Sequence, residues 1–300
     1  MAEIEGFQAI TLASGRLQAT FVPHAGMLCC SLRHDGIELL ARRGGVRAYA
    51  ERGSTMGIPL LHPWANRLAA LSYPGANGPV RLAANDPLLK LDPNGLPIHG
   101  AIPGTLPWEL IDSGSQHLHA RLSWERSDLL AIFPFAHMLD VRVSLGGARI
   151  RIETSLTPGA EPVPVCFGYH PYLSLPGGER DAWKVELPVR ERLRLDQRMI
   201  PSGASEPVTQ RSFQLAAGDW DAAFAQPDRP AVFAVSNGSR RIELEFERSY
   251  AYAQLYAPAG QDFVCFEPMT AQTNALISRR GLTVIEPGGA FHAAFSIAVS

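Results

Sequence analysis

Hydrophobic and polar residues alternate with a period of two along much of this 300-residue chain. Near the start, Leu17, Ala19 and Phe21 alternate with Gln18 and Thr20, which is the pattern of a β-strand that buries one face. Comparable runs recur later in the chain, at residues 118–124, 139–145, 150–156, 185–195, 242–246 and 291–297. The chain is therefore predicted to consist mainly of β-strands.

Turn sequences between these runs predict β-hairpins. The strongest signal is Gly146 with Gly147, which separates two long alternating runs, and His-Asp-Gly at 34–36 is a second signal. No amphipathic pattern lasts longer than two helical turns, and no strand–helix–strand rhythm is present. These features predict an all-β fold, a large antiparallel β-sandwich with few short helices, built as one domain over residues 1–300.

Two segments lack the alternating pattern. Residues 53–107 are rich in Gly, Pro and Asn, and residues 201–207 contain Pro, Ser and Gly. Both segments are predicted to be loops. The longer one is expected to be ordered and to carry functional residues, because structureless connections of that length are usually functional when they are not disordered.

Composition and charge exclude several classes of partner. Hydrophobic residues make up 46% of the chain, which is enough for a large core, and the formal net charge is -2 without a long run of one sign. Nucleic acids and anionic membranes are therefore not expected as partners. No window approaches the roughly 18 apolar residues of a membrane span, and the first residues lack a secretory signal. The expected location is the cytoplasm.

The four cysteines, Cys29, Cys30, Cys166 and Cys265, include no C-x-x-C pair. Their spacing argues against a zinc knuckle and against a disulfide framework. Cys166 and Cys265 each lie within an apolar run and are expected to be buried free thiols.

Two apolar runs end at a titratable residue that precedes a proline, and these residues are the first candidates for chemistry. His170 precedes Pro171, and Glu267 precedes Pro268. Proline pushes the residue before it into an extended conformation, so the His170 ring is expected at a strand end, either for proton transfer or as a structural core histidine. Glu267 either leaves its strand into water or faces a polar cavity, where burial would raise its pKa toward that of a general base.

Residues with the chemistry to bind a polyhydroxylated ligand follow in loop segments. Arg67 and His99 each have a tryptophan nearby in the sequence, Trp64 and Trp108 respectively, and Asp221 is a further acidic candidate. Arginine offers a rigid fork of donors, and histidine offers a switchable donor. Tryptophan offers a flat apolar surface for a sugar ring. Structural roles remain open for each of them, as a loop brace, a structural histidine or an ordinary loop acid.

Six short motifs, taken together and in order, resemble those of the aldose 1-epimerase (mutarotase) family over nearly the whole chain. They are P-W-A-N-R at 63–67, I-H-G at 98–100, F-P-F at 133–135, G-Y-H-P-Y at 168–172, D-A-A-F at 221–224 and F-E-P-M-T at 266–270. The resemblance implies a β-supersandwich enzyme that interconverts the α and β anomers of a free aldose. It implies neither a cofactor nor a metal, with a monosaccharide as the partner and a monomer or homodimer as the expected assembly.

The resemblance also implies roles for individual residues. Glu267 would be the base that takes the proton of the anomeric hydroxyl, His170 the acid that protonates the ring oxygen, and His99 an assistant at that oxygen. The ring would open, rotate about the C1–C2 bond and close as the other anomer. Further substrate contacts are implied for Arg67, Asp221, Trp64, Asn66 and Tyr172.

Three features depart from the family pattern, and one of them is that residues 101–105, after I-H-G, lack an arginine that is common there. His62 stands before Pro63 where an aromatic or other apolar residue is expected, and Ala65 replaces the more usual Pro or Gly. These changes leave the implied acid and base untouched. They bear on the contacts to the distal hydroxyl groups of the sugar.

Three alternative functions remain open. An epimerase of hexose 6-phosphates would need an extra cationic cluster, for which Arg42, Arg43, Arg47 and Arg52 are candidates. A non-catalytic sugar-binding module could use the same residues without reaction. A glycoside hydrolase would need two carboxylates flanking the scissile bond, for instance Glu267 and Asp221, and would leave His170 without a role.

A metal site built from His62, His99 and His170 is a fourth alternative. The sequence contains neither H-x-H nor H-x-x-x-H spacing among these residues. Such a site is therefore weakly indicated.

Overall fold

The structure is a computed structural model that describes residues 2–102, 104, 106, 108–216 and 218–300. The helices within the described residues are short and include α1 (Gly45–Arg52), α2 (Ser127–Ile132), α3 (Ala275–Ser278) and a 3-10 turn (Arg180–Ala182). None of the described helices has the length and apolar character needed to cross a bilayer. Strands make up most of the regular structure, as the alternating sequence predicted.

Twenty-eight strands are present in the described part of the chain. In chain order they are β1 (Ala2–Ile4), β2 (Phe7–Ser14), β3 (Leu17–Val22), β4 (Leu28–His34), β5 (Ile37–Glu38), β6 (Leu60–Leu61), β7 (Ser72–Gly75), β8 (Gly78–Arg81), β9 (Leu89–Leu91), β10 (Pro97–Ala101), β11 (Glu109–Ser113), β12 (His117–Trp124), β13 (His137–Gly146), β14 (Arg149–Pro158), β15 (Val163–Val165), β16 (Gly168–Tyr169), β17 (Tyr172–Leu173), β18 (Lys184–Glu186), β19 (Val189–Leu195), β20 (Pro201–Pro207), β21 (Ser212–Gln214), β22 (Trp220–Pro227), β23 (Ala231–Ser236), β24 (Arg241–Arg248), β25 (Tyr252–Ala257), β26 (Val264–Met269), β27 (Thr283–Ile285) and β28 (Phe291–Val299).

Three larger sheets contain most of these strands. The nine-stranded sheet has the order β11-β12-β13-β14-β28-β24-β23-β18-β21, and an N-terminal sheet has the order β1-β2-β3-β4-β5. The eight-stranded sheet has the order β20-β19-β22-β25-β26-β16-β6, with β17 also paired to β26. Neighbouring strands in these sheets run antiparallel, including the predicted hairpin around Gly146 and Gly147. The predicted antiparallel all-β class is confirmed.

The nine-stranded and eight-stranded sheets pack face to face around one large hydrophobic core. Phe233 on the first sheet lies 5.6 Å from Phe266 on the second, measured between ring centroids, and Phe295 lies 5.0 Å from Tyr169. The Tyr169 hydroxyl bonds Oγ1 of Thr154 across the same interface at 2.6 Å. Full burial of each large apolar side chain contributes on the order of 1.5–3 kcal/mol, so this interface fixes which face of each strand points inward.

The N-terminal sheet carries α1 on one face and reaches the eight-stranded sheet through backbone hydrogen bonds. Tyr49 of α1 packs among the buried side chains of β3 and β4. At the junction, the Ala41 amide donates to the carbonyl of Tyr172 at 2.9 Å, and the Tyr172 amide donates to the carbonyl of Gly57 at 2.8 Å. The segment that follows β5 is thereby held beside β17.

The prediction of a loop at residues 201–207 is wrong, since these residues form the edge strand β20. Its register on β19 pairs Glu191 with Pro207 and Leu193 with Ser205. Most of its side chains are exposed, so no face is buried and no alternating pattern appears in the sequence. Backbone hydrogen bonds alone define such a strand.

The predicted loop region 53–107 is only partly a loop, because it contains β6 to β10. Strands β7 and β8 form a hairpin that pairs Tyr73 with Val80, and its Gly and Pro content conceals the strand pattern. Residues 103, 105 and 107 of this region lie outside the described residues. This region carries several of the candidate residues, as predicted, including Asn66, Arg67 and His99.

Candidate active site

A pocket of about 250 Å³ lies on the outer face of the eight-stranded sheet. Strand alternation places it there, because Phe266 and Tyr169 point into the core and their neighbours Glu267 and His170 must point to the other face. A volume near the lower end of ordinary ligand pockets, about 300–1,000 Å³, suits one small molecule. Seven of the predicted site residues line it, namely Asn66, Arg67, His99, His170, Tyr172, Asp221 and Glu267.

Glu267 and His170 lie next to each other at the base of the pocket. His170 Nε2 is 3.2 Å from Glu267 Oε1, and only 5% and 2% of the two side chains are exposed. The second oxygen of Glu267 and Nδ1 of His170 have no hydrogen-bond partner among the described residues. Burial raises the pKa of Glu267 well above its usual range, and the charge of Asp221 raises it further. Burial also lowers the pKa of His170 to about 3.

These two opposite shifts favour the state in which the pair holds one proton. Adding a second proton would create a buried positive charge, and removing the last proton would create a buried negative charge; desolvation disfavours both. One member can therefore accept a proton while the other donates one over a wide range of pH. This is the condition that paired acid and base catalysis requires.

The His170 ring is held by aromatic neighbours. The Tyr172 ring stacks on it in parallel, with centroids 4.4 Å apart and an angle of 3°, and Tyr256 meets its edge at 5.7 Å. The Tyr172 hydroxyl bonds Oγ1 of Thr55 at 2.6 Å and accepts a hydrogen bond from Nη1 of Arg43 at 3.3 Å. Tyr172, implied as a substrate contact, thus also fixes the orientation of the histidine.

Backbone contacts join the two loop motifs that carry His99 and Arg67. The His99 amide donates to the Asn66 carbonyl at 2.8 Å, and the Ala101 amide donates to the His62 carbonyl at 2.9 Å. Gly100 has a φ of 72°, and a Cβ atom there would lie 2.2 Å from the same His62 oxygen, so only glycine fits. His99 has a positive φ of 68°.

This geometry turns the His99 ring toward His170. The two ring centroids are 5.5 Å apart, with the planes nearly perpendicular. Burial, followed by the charges of His170, Arg67 and Lys90, lowers the pKa of His99 well below its usual range. A neutral imidazole beside the Glu267 and His170 pair can donate a hydrogen bond to a ligand or accept one from it.

Two side-chain pairs complete the walls of the pocket. Arg67 donates from Nε to Oδ2 of Asp92 at 2.8 Å and from Nη1 to Oδ1 of Asn66 at 3.1 Å, so it is a braced donor rather than a free one. Asp221 accepts a hydrogen bond from Gln254, whose strand position pairs with Glu267. Burial raises the pKa of Asp221.

The structure contradicts the prediction that Trp64 and Trp108 offer a flat apolar surface to a sugar ring. Their relative exposures are 1% and 3%, both pack into the hydrophobic core, and neither lines the pocket. Burial of their large apolar surfaces in the core stabilises the fold more than a position at a wet pocket edge would. Tyr256, on β25, supplies the aromatic surface of the pocket instead.

His62 belongs to a separate buried pair, so His62, His99 and His170 do not converge on a metal. Its Nε2 is 2.9 Å from Nε2 of His137, and Nδ1 of His137 lies 2.6 Å from the Phe135 carbonyl. These contacts assign the His137 proton to Nδ1 and make His62 the donor between the rings. Among the described residues, no cluster of three metal-ligating side chains was found.

We expect the His62 and His137 pair to make the fold sensitive to acid. Burial lowers the pKa of His137 to about 4 and that of His62 well below its usual range. An unfolded chain binds these protons near pH 6.5 and the native one does not, so stability is lost as pH falls from about 6.5 toward 4. Between pH 7 and 5 the loss from this pair should be at least about 2 kcal/mol.

Urea unfolding at both pH values would measure this loss. The double variant His62→Phe with His137→Phe keeps aromatic side chains beside Trp124, which lies 4.9 Å from His62, and it removes both protonation sites. It should lose clearly less stability between pH 7 and 5 than the wild type. Equal losses in the two proteins would show that other groups cause the acid sensitivity.

Sequence reasoning missed several residues of the pocket wall, most importantly Lys90, Asp92, Thr55 and Tyr256. Lys90 and Asp92 alternate within a short segment that reads as part of a long loop. The one signal in the sequence that could have placed them on a strand was the alternation of polar and apolar residues in Lys-Leu-Asp. Tyr256 follows the regular pattern of a strand, and only its pairing with Cys265 of β26 brings it to the pocket.

A larger groove of about 1130 Å³ lies at the opposite end of β22 and β25. Its described lining residues include no histidine. Three of its four carboxylates, on Asp228, Glu245 and Glu247, are paired with surface arginines, and the fourth, on Glu191, accepts a hydrogen bond from Gln226. The smaller pocket, where the buried titratable pair lies, is therefore the candidate active site.

Comparison with known proteins gave one family and several similar folds. A family model described as aldose 1-epimerase matches residues 8–297, and a sequence comparison with curated proteins gave no match. The Slr1438 protein from Synechocystis sp. PCC 6803 is 26% identical, with 99% of this chain and 97% of that chain covered and a TM-score of 0.81. A galactose mutarotase-like protein from Clostridium acetobutylicum is 17% identical, with coverages of 98% and 95% and a TM-score of 0.84. A GalM/aldose epimerase homologue from C. elegans is 16% identical, with coverages of 98% and 99% and a TM-score of 0.83.

Proposed function

The chain belongs to the aldose 1-epimerase family, whose model matches residues 8–297, and on this premise we propose that it interconverts the α and β anomers of an aldose. The observation that carries the proposal is the 3.2 Å contact between Glu267 and His170. The two oxygens that exchange protons, the anomeric hydroxyl and the ring oxygen, are bonded to one carbon. An acid and a base that serve both must therefore lie side by side.

The pKa shifts place the shared proton on Glu267 in the empty pocket, so the reaction starts once that proton has moved to His170. Glu267, as the carboxylate, takes the proton of the anomeric hydroxyl while the bond between C1 and the ring oxygen breaks, and His170 gives its proton to that oxygen. The open-chain aldehyde rotates about C1–C2, and the reverse transfers close the ring on the other face. Each positioned group contributes on the order of 10²–10⁴ in rate.

Neighbouring side chains support these transfers. The charge of Arg67 lowers the pKa of Glu267 against the stronger effect of burial, which favours movement of the shared proton to His170 before reaction. His99, 5.5 Å from His170 between ring centroids, is close enough to hydrogen-bond the same ring oxygen of a bound sugar. Asp221 and Arg67 are the proposed contacts for the other hydroxyl groups.

Two alternatives are less well supported by the same geometry. In a glycoside hydrolase, Glu267 and Asp221 would flank a bond, but Asp221 is bonded to Gln254 and the close partner of Glu267 is His170. A binding module would have no use for a buried pair with unpartnered polar atoms, which lowers stability. Strongly shifted pKa values of paired groups in a pocket favour catalysis.

Anomer exchange measured by NMR or polarimetry tests the proposal. We expect the purified protein to equilibrate α and β forms of at least one sugar in a panel of aldoses and aldose phosphates far faster than buffer alone. Rates equal to the buffer rate across the whole panel would refute the epimerase function. Retained sugar binding in that case would favour the binding module.

Two further proposals concern the setting of the enzyme. All four cysteines are buried and free, which is usual where thiols are kept reduced and supports a cytoplasmic protein. One core cluster includes residues from all three large sheets, which supports a single domain.

A further inference from the structure

Two cations in the pocket wall lack an acidic partner. Arg43 and Lys90 both line the pocket, and neither forms an ion pair with any carboxylate of the described residues. We propose that Arg43 and Lys90 form a subsite for a negatively charged substituent of the sugar, so that the preferred substrate is an anionic monosaccharide. This inference rests on the proposed epimerase function and narrows its substrate class.

Neighbouring arginines show that Arg43 is a special case. Arg42 lies 3.7 Å from a carboxylate oxygen of Glu5, and Arg52 lies 4.0 Å from one of Glu51. Arg47 also bonds Glu5, through its amide and its side chain. Of the four arginines considered from the sequence, only Arg43 enters the pocket wall.

Neutral oxygens of one short segment hold both cations. Arg43 donates from Nη1 to the Thr55 carbonyl at 3.0 Å, and Lys90 donates from Nζ to the Gly53 carbonyl at 2.8 Å. An ammonium has three donors and a guanidinium has five, so most donors of both groups remain available. The guanidinium also lies over the rings of Tyr172 and Phe263, at 5.3 and 5.7 Å, which fixes its plane.

The charge of Arg43 acts on Lys90, and carbonyl groups two residues apart hold the two cations. Lys90 is half-buried, and burial, followed by the charge of Arg43, lowers its pKa. Two like charges that are brought together without a counter-charge destabilise the empty pocket. A phosphate or carboxylate placed between them would remove that repulsion and accept charge-assisted hydrogen bonds.

Strand register places this subsite at one end of the pocket. Tyr172, which bonds Arg43, pairs with Cys265, and Cys265 pairs with Tyr256, which pairs with Asp221. Three strand spacings of about 4.8 Å separate the ends of this row, roughly 14 Å in all. Arg43 therefore lies at the end of the pocket away from Asp221, with Glu267 between them on β26. A single sugar bound over Glu267 can direct its charged substituent to the Arg43 end.

Exchange rates on matched sugars test the inference. Glucose and galactose would be compared with their 6-phosphates and their uronic acids by NMR exchange spectroscopy, so that the phosphate and carboxylate arms distinguish the two kinds of anion. We expect kcat/KM for at least one anionic form to exceed that of its neutral parent by about tenfold or more, since one charged hydrogen bond contributes that much.

Variants assign the preference to the two side chains. Arg43→Gln with Lys90→Gln should lower the ratio of anionic to neutral kcat/KM by about tenfold or more. Arg52→Gln, which removes an exposed arginine outside the pocket, should leave the ratio unchanged. Calorimetry should show that the Glu267→Gln variant binds the anionic sugars more tightly than the neutral ones, without turnover.

The outcomes separate this inference from the function it rests on. Exchange of neutral sugars with no gain for either anionic form, or a gain that persists in the double variant, would overturn the charged subsite and leave the epimerase intact. Absence of exchange on every sugar would overturn the epimerase function itself.

Discussion

Glu267→Gln is expected to lower kcat/KM for anomer exchange by about 10²–10⁴, the usual contribution of a positioned base. Glutamine keeps the size and shape of the side chain, which is 2% exposed, but it cannot accept the anomeric proton. The fold should be retained or slightly stabilised, because the variant removes a buried carboxyl group whose ionisation is disfavoured. NMR exchange spectroscopy and thermal unfolding would measure the two effects.

A matched control is Glu125→Gln, which makes the same chemical change at an exposed position. That variant should exchange anomers at the wild-type rate. If Glu267→Gln retained at least a tenth of wild-type activity while folding normally, Glu267 would not be the base, and the proposed mechanism would have to be abandoned.

His170→Asn is the second change expected to have a large effect, again about 10²–10⁴ in kcat/KM. Asparagine is polar and fits the space, but it cannot donate a proton to the ring oxygen. The variant also loses the parallel stacking of the His170 ring on the Tyr172 ring. Residual activity should then depend on Glu267 alone and rise with pH through the raised pKa of that carboxyl, because only the carboxylate accepts a proton.

The control for this variant is His24→Asn, which changes an exposed histidine. A pH profile of kcat/KM separates a chemical role of His170 from a structural one. If His170→Asn lowered activity only through loss of folded protein, the pH profile of the remaining activity would match that of the wild type. That result would remove His170 from the proton transfer.

Buried polar pairs recur in this fold with different consequences. The Glu267 and His170 pair opens onto a pocket and joins groups whose pKa values are shifted in opposite directions. The His62 and His137 pair lies beside Trp124 and Phe133 away from that pocket, and both pKa values are lowered. Access to a ligand, rather than burial alone, therefore distinguishes a catalytic candidate from a structural pair.

The sequence by itself determined the class of fold and pointed to the proposed acid and base. Period-two alternation reports which face of a strand is buried, as in β13 and β14, where Val143 and Ile152 are both inside. Proline after His170 and after Glu267 marked the points where a polar group interrupts an apolar run. Both signals are local, and both are readable without knowledge of the neighbouring strands.

Only the tertiary structure decided which other side chains join Glu267 and His170 in the pocket. Trp64 and Arg67 belong to the same motif, yet the first is buried in the core and the second lines the pocket. Arg42 and Arg43 are adjacent, yet only Arg43 reaches Tyr172. Membership of the pocket depends on which strands become neighbours and in which register. Those pairings join residues far apart in the chain, so no local pattern of hydrophobic and polar residues encodes them.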